Sequence, residues 1–527
     1  MKVILYKECG AMNSLNLPDS AGVAAIGLKT DLIVPHDDIA EITANTVKDI
    51  TEDNDIICVT EAVVARSQNQ YVSCESLAEE IREKLNLKEQ STIGVISPIA
   101  SRNRFSLILR ALALATRGGK VIVQFPIPFD EVGNQVIDEN FAYTRLRLKK
   151  TLQSLRETRG STPQLNVLIR EILAALKLQE LGYGIESIRK ITGKGIADLT
   201  LKTPEGKTAV AEVTFEDLAK TAKKAIGVKK DVPEAEVALS IAVSLEHNSI
   251  TIVDANDYLY SDNPKVSTIN YGNQVDSYYD PEVIYTNEIE NHTFPHPITK
   301  HDYRHLYSEI IEDAGAQASI IFTDNPVKVY EMGFIDGICV GAVHERYKLK
   351  ELFSSFGAKV PIITIEDIGS NPWGLIGSNV SDMDKGILKL LPDNPHKTAD
   401  NIKDKIKEIT TKDVEVLIFG DGAYKDPDTG IYELADPHPA IGASYNLRSA
   451  SLREGSKLKL QVDTLFRQGY SKDQIKDILS DDSDKTAENL GTTPRSVTSI
   501  LGTMADLITG SADAGTPIVL VRGFKHL

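Results

Sequence analysis

Asp421 stands at the end of an apolar run, Val414 to Phe419, and is followed by Gly422. A carboxylate at a strand end beside a glycine suits a hard cation and an incoming phosphate. Mg2+ and Mn2+ take oxygen ligands, and a backbone without Cβ lets a phosphate come close. A second oxygen-rich stretch, Gly377-Ser378-Asn379-Val380-Ser381-Asp382, offers an amide carbonyl at Asn379 and a carboxylate at Asp382. Arg66 lies just beyond another apolar run, Ile56 to Thr60, and a guanidinium can grip phosphate in a two-pronged fork. Each group also has a plainer use. Asp421 suits a turn, residues 377–382 suit a turn capping the helix after them, and Arg66 suits a solvated surface.

Short apolar runs bounded by turn residues must carry these groups. Ile56 to Thr60, Thr92 to Ser97, Lys120 to Phe125, Ser319 to Thr323, Gly337 to Val343, Pro361 to Ile365, Val414 to Phe419 and Pro517 to Arg522 read as strands. Helical periodicity between them, as at Ser76 to Leu85 and Phe105 to Thr116, calls for sheets with covered faces. With 527 residues the chain exceeds what one hydrophobic core usually holds, so several domains are expected. Its 42% hydrophobic and 25% charged residues are those of a globular protein, and no apolar run approaches a membrane span. With no signal-peptide pattern at the N-terminus, a cytoplasmic location is expected. Cys9, Cys58, Cys74 and Cys339 lack the spacing of a zinc site or a disulfide framework. A net charge of −17 argues against broad nucleic-acid binding.

Residues 149–263 differ in texture, with more lysine, a long amphipathic helix from Thr162 to Gly182, a hairpin through Ile196 to Leu201 and Ala209 to Thr214, and a second helix from Glu216 to Ile226. This reads as an inserted α/β domain, and the recurrence of Gly133-Asn134-Gln135-Val136 at Gly272 to Val275 hints at where the chain leaves and returns. The expected organisation is a core over 1–148 that includes a lid-like subdomain, the insert over 149–263, the return of the lid over 264–370, and the rest of the core over 371–527. Two loops of the lid, Ser101 to Phe105 and Pro295 to Thr299, precede helices and so suit anions.

Taken in order, three segments resemble the coenzyme F-420-0:L-glutamate ligase (γ-glutamyl ligase) family. They are Gly27 to Ile33 with Val59 to Ser67, then Gly377 to Asp382 with Val416 to Asp421, then Leu507 to Gly510 running into Thr516 to Gly523. The resemblance covers the two ends of the chain and implies an α+β fold with a mixed core. It also implies a reaction in which GTP phosphorylates a substrate carboxylate and the amine of L-glutamate then displaces phosphate to leave an amide. Such chemistry rests on metal ions, cationic clamps and in-line positioning. The resemblance places Mg2+ or Mn2+ at Asp421, Asn379 and Asp382, and the nucleotide beside Leu28, Thr60, Arg66 and Asp382. It assigns no catalytic side chain. Gly422 replaces the family's threonine, Asn379 and Asp382 exchange the family's aspartate and asparagine, Ala62 replaces a polar contact, and Ser499-Ile500 stand where the family has an Asp-Glu pair. No Walker-type phosphate loop occurs; Thr192-Gly193-Lys194-Gly195 is the nearest fragment.

The insert resembles a PD-(D/E)xK nuclease core through Asp198, Glu212 and the helix residue Glu171. Thr214 stands where that chemistry wants a lysine, so no cutting is expected, although Lys220 or Lys223 on the next helix could reach in. Residues 485–504 have helix-turn-helix spacing, but the acidic run Asp481 to Asp484 is hostile to phosphate, and core packing is the preferred reading. The expected protein is a GTP- and metal-dependent ligase joining L-glutamate to a carboxylate-bearing small molecule. The alternatives are a folate or other acceptor, or a nuclease-like or non-catalytic nucleic-acid-binding insert, and the expected assembly is a homodimer.

Overall fold

The computed structural model describes residues 22–158, 162–192, 195–215, 217–230, 237–246, 249–270, 279–421, 424–425, 432–433, 436–449, 452–453, 458–480, 495–509 and 515–524. Gly422, Lys194, Gly510, Gly272 to Val275, Asp481 to Asp484 and the first part of the 485–504 segment lie outside them. The chain forms two compact units, residues 1–73 with 369–527, and residues 74–368. Its sheets are mixed, antiparallel and parallel in turn, so the fold is α+β.

In the first unit a five-stranded sheet runs Ala24–Leu28, Ile518–Arg522, Ile56–Thr60, Glu415–Phe419, Ala440–Ala443. Ile56–Thr60 and Glu415–Phe419 are parallel, and the other neighbours are antiparallel. These strands read as continuous apolar runs because both faces are buried. Ile57, Val59, Val416, Ile418, Ile518 and Leu520 pack in one core with Ala44 and Val47 of helix Ile39–Val47 and with Ala399, Ile402 and Ile406 of helix Pro395–Thr410. Ile56, Cys58, Leu417, Phe419, Val519 and Val521 face the other way and pack with Val497, Leu501 and Ala505 of helix Val497–Thr509. That helix therefore spends its apolar face on the sheet, as the core-packing reading of 485–504 requires.

Asn379–Asp382 and Ile387–Lys389 form a hairpin that pairs with Tyr71–Ser73. The reading of 377–382 as a turn capping a following helix is thus corrected. Ile387, Leu388 and Lys389 pair with Ser73, Val72 and Tyr71, which extends the segment, and the next helix begins only at Pro395.

The second unit holds two six-stranded sheets. In one, five parallel strands lie in the order Gln317–Phe322, Lys120–Phe125, Thr92–Ile96, Gly337–Val340, Ile362–Thr364, with Ile284–Tyr285 antiparallel at the edge. Numbered along the chain this is 3-2-1-4-5, the doubly wound order, whose ligand crevice opens at the carboxyl ends of strands 1 and 4. Here two consecutive carboxylates hold that edge from within. Asp130 accepts the backbone N–H of Ala100 at 2.8 Å, and Glu131 accepts those of Val343, His344 and Glu345, the last two at 3.0 and 3.2 Å.

The other sheet runs Gly184–Thr192, Gly195–Lys202, Thr208–Thr214, Leu239–Leu245, Ser249–Asp254, Val266–Asn270. Helix Leu218–Lys230 makes the crossover between the parallel pair Thr208–Thr214 and Leu239–Leu245. Helix Pro163–Glu180 packs Ile172, Ala175 and Leu176 in one core with Leu199, Ala211 and Val243. Beside it Arg145 and Lys149, both fully buried, share Glu288 at 2.8 and 2.6 Å, and Arg145 also reaches Glu180 at 2.9 Å.

Candidate active site

One end of the five-stranded sheet gathers three of the groups singled out above, Leu28, Thr60 and Asp421. Strands Ala24–Leu28, Ile56–Thr60 and Glu415–Phe419 all end there, and their antiparallel neighbours Ile518–Arg522 and Ala440–Ala443 begin there. Leu28, Thr60 and Asp421 are accordingly brought to one edge, although 393 positions separate the outer two in the chain (421 − 28). Thr60 donates its backbone N–H to the Pro517 carbonyl at 3.0 Å, and its hydroxyl caps no helix. Arg66, half-buried on the short helix Glu61–Ser67, forms no ion pair among the described residues. Nearby, Glu61 is held by both carboxylate oxygens on Lys389 at 2.7 Å, a buried pair that fastens this helix to the hairpin.

Asp421 is partly buried, and its backbone N–H is accepted by Asp436 Oδ2 at 2.8 Å. Asp436 is itself 1% exposed. A Cβ on Gly377 would lie 2.7 Å from Asp436 Oδ1, and a Cβ on Gly420 would press into Oδ2. Gly377 also has φ of 66°, so a side chain there is refused twice. One carboxylate therefore packs against both loops proposed for the metal. Asp436 escaped sequence reasoning because it follows a stretch without periodicity; the glycines at 377 and 420 were the available signal.

Asp382 has a different setting. Its carboxylate accepts the Lys385 backbone N–H at 3.0 Å and lies 3.4 Å from the Lys385 ammonium, and the first of these contacts holds its pKa below the usual carboxylate range. Asn379 sits in the hairpin opposite Lys389. Among the described residues no three His, Cys, Asp or Glu side chains gather in one metal-binding group. The hydroxyls of Ser378 and Thr516 are buried without a hydrogen-bond partner among the described residues, and Thr516 Oγ1 lies 3.0 Å from where a Gly27 Cβ would stand. Orphaned buried hydroxyls cost stability unless something else meets them.

A family model described as F420-0:gamma-glutamyl ligase matches residues 27–523. The chain belongs to that family. The match runs through the middle of the chain as well as its ends, so the γ-glutamyl ligase family covers both compact units. A search among curated proteins finds no match. The γ-glutamyl ligase assignment implies a small-molecule substrate. No helix among the described residues is long and apolar enough to cross a membrane. The donors at the sheet edge, Asp421, Asp436 and the unpartnered Ser378 hydroxyl, are all oxygen and so fit a hard cation. Ser499 and Ile500 leave their helix turn without a carboxylate.

The insert brings a second group together. Asp198 accepts the Val213 N–H at 3.0 Å, and Lys224 forms an ion pair with Glu212 while standing 3.6 Å from Asp198. Glu212 is fully buried. Burial first, and the Asp198 charge after it, push its pKa up to about 7 against the pull of Lys224. The lysine that reaches in is Lys224 and not Lys220 or Lys223. With Thr221, Ala222, Ala225 and Val228 turned inward, helical periodicity sets Lys224 at the border of the buried face and Lys223 opposite it. Glu171 is taken up by Arg189 at 2.6 and 3.0 Å.

Proposed function

We propose that the protein is a GTP- and metal-dependent ligase that forms a γ-glutamyl-type amide between L-glutamate and a carboxylate-bearing small molecule. What supports the reading is the convergence of Leu28, Thr60 and Asp421 on one sheet edge in a chain of this family. In the reaction the γ-phosphoryl group moves to the acceptor carboxylate, releasing GDP, and the glutamate amine then expels phosphate as the amide bond forms. A bound Mg2+ or Mn2+ would spread the charge on the phosphate oxygens. Asp421 would hold the cation, with Asn379 and Asp382 in supporting positions on the hairpin. Leu28 and Thr60 would border the nucleotide, and Arg66, which forms no ion pair among the described residues, would grip a phosphate. Purified protein given GTP, Mn2+ or Mg2+, glutamate and a deazaflavin or folate acceptor should release GDP and phosphate. Absence of both turnover and binding, with GTP and with ATP and across these acceptors, overturns the proposal.

A second activity is supported by Lys224. Two carboxylates with a lysine beside them suit a metal-dependent phosphodiester hydrolysis, and Lys220, Lys223, Lys229 and Lys230 on the same helix could meet a phosphate backbone. With Mg2+, the full chain should cut DNA slowly, and Lys224→Ala should lower the rate roughly a hundredfold. Equal rates for the wild type, Lys224→Ala and Asp198→Ala would assign any cutting to contamination.

A further inference from the structure

We infer that Asp436 is a positioning residue of the ligase centre, fixing the Asp421 backbone and the Gly377 loop so that the cation-holding oxygens meet in one geometry. This rests on the ligase reading above. Asp436 is buried, and it touches both the Asp421 backbone and the Gly377 loop from a different stretch of the chain.

The geometry is specific to a role through Asp421. Oδ2 receives the Asp421 N–H at 2.8 Å, and this donor immediately precedes the Asp421 side chain along the backbone. Oδ1 lies where a Gly377 side chain would begin, next to Ser378 with its unpartnered hydroxyl and to Asn379. Any side chain at Gly377 or Gly420 would push the carboxylate away, so both glycines serve the same contact. Groups that orient metal ligands in this way commonly control cation affinity as strongly as the ligands do.

The test is titration of the full chain with Mn2+ alone, by calorimetry and by the electron paramagnetic resonance signal of bound Mn2+, with thermal unfolding of each variant alongside. Asp436→Ala should weaken Mn2+ binding at least ~10-fold. Asp436→Asn should stay within about threefold of the wild type, because the amide carbonyl can still accept the Asp421 N–H. Gly420→Ala, which keeps the charge and displaces it, should weaken Mn2+ binding as Asp436→Ala does while its thermal unfolding shows it folded at the assay temperature, and it decides the matter if Asp436→Ala does not fold. Wild-type binding that persists unchanged in Asp436→Ala or in Gly420→Ala overturns the inference and leaves the ligase reading standing. A loss in Asp436→Asn equal to that in Asp436→Ala overturns it too, since charge and not position would then matter. A wild type that binds neither Mn2+ nor GTP overturns the ligase reading together with this one.

Discussion

Replacing Asp421 with alanine is expected to lower metal-dependent GTP turnover by about a thousandfold or more while leaving the melting temperature nearly unchanged. The large effect follows from the place of the carboxylate, just past the end of Glu415–Phe419, whose last residue pairs with Thr60. The small stability effect follows from burial, because the core residues of that strand, Val416 to Phe419, stop before Asp421 and pack without it. Asp382→Ala should act in the same direction but less, roughly tenfold, since this carboxylate is already engaged with Lys385 at the hairpin turn. Steady-state rates at saturating GTP and calorimetric Mn2+ affinities for both variants check this. Full activity in Asp421→Ala would move the metal to another edge of the fold.

Glu288→Ala should destabilise the second unit by about 3–5 kcal/mol, the largest loss of stability expected from a single change outside the apolar cores. Glu288 is the shared partner of Arg145 and Lys149, whose side chains have no exposure, so its removal leaves Lys149 without a carboxylate and Arg145 with Glu180 alone in a dry environment. Urea unfolding of the full chain, with hydrogen exchange followed over helix Glu139–Glu157, measures the effect. A loss below 1 kcal/mol would mean that water or another anion replaces the carboxylate. The network also has a pH signature. Burial, partly offset by Glu288, pulls the Lys149 ammonium down to about 8. The unfolded chain keeps this proton until about pH 10.4, so it binds more protons between the two values, and stability rises with pH across that window. Lys149→Met should remove that slope.

Local pattern was enough for the strands of both parallel arrays and for the crossover helices, because apolar runs flanked by turn residues and residues repeating at helical spacing are set by near neighbours. Ile56–Thr60, Lys120–Phe125 and Ile518–Arg522 lie within a residue of their expected places, and helix Pro163–Glu180 lies within two. Order along the chain likewise sufficed to recognise the family, since its motifs keep their succession whatever lies between them. Partnership across long separations could not be read in this way. The pairing of residues 387–389 with 71–73 turned an apparent loop into a hairpin, and helical phase on a packed face selected Lys224 over its neighbours. Asp436 became visible only when Gly377, Gly420 and Asp421 met around it. Sequence alone determined the elements, the family and the residue types able to hold a cation and phosphate, because these depend on composition and spacing. Tertiary structure decided which of those residues share an edge, because that depends on strand order and register, and the pairings of Ile56–Thr60 with Glu415–Phe419 and of Ala24–Leu28 with Ile518–Arg522 join residues hundreds of positions apart.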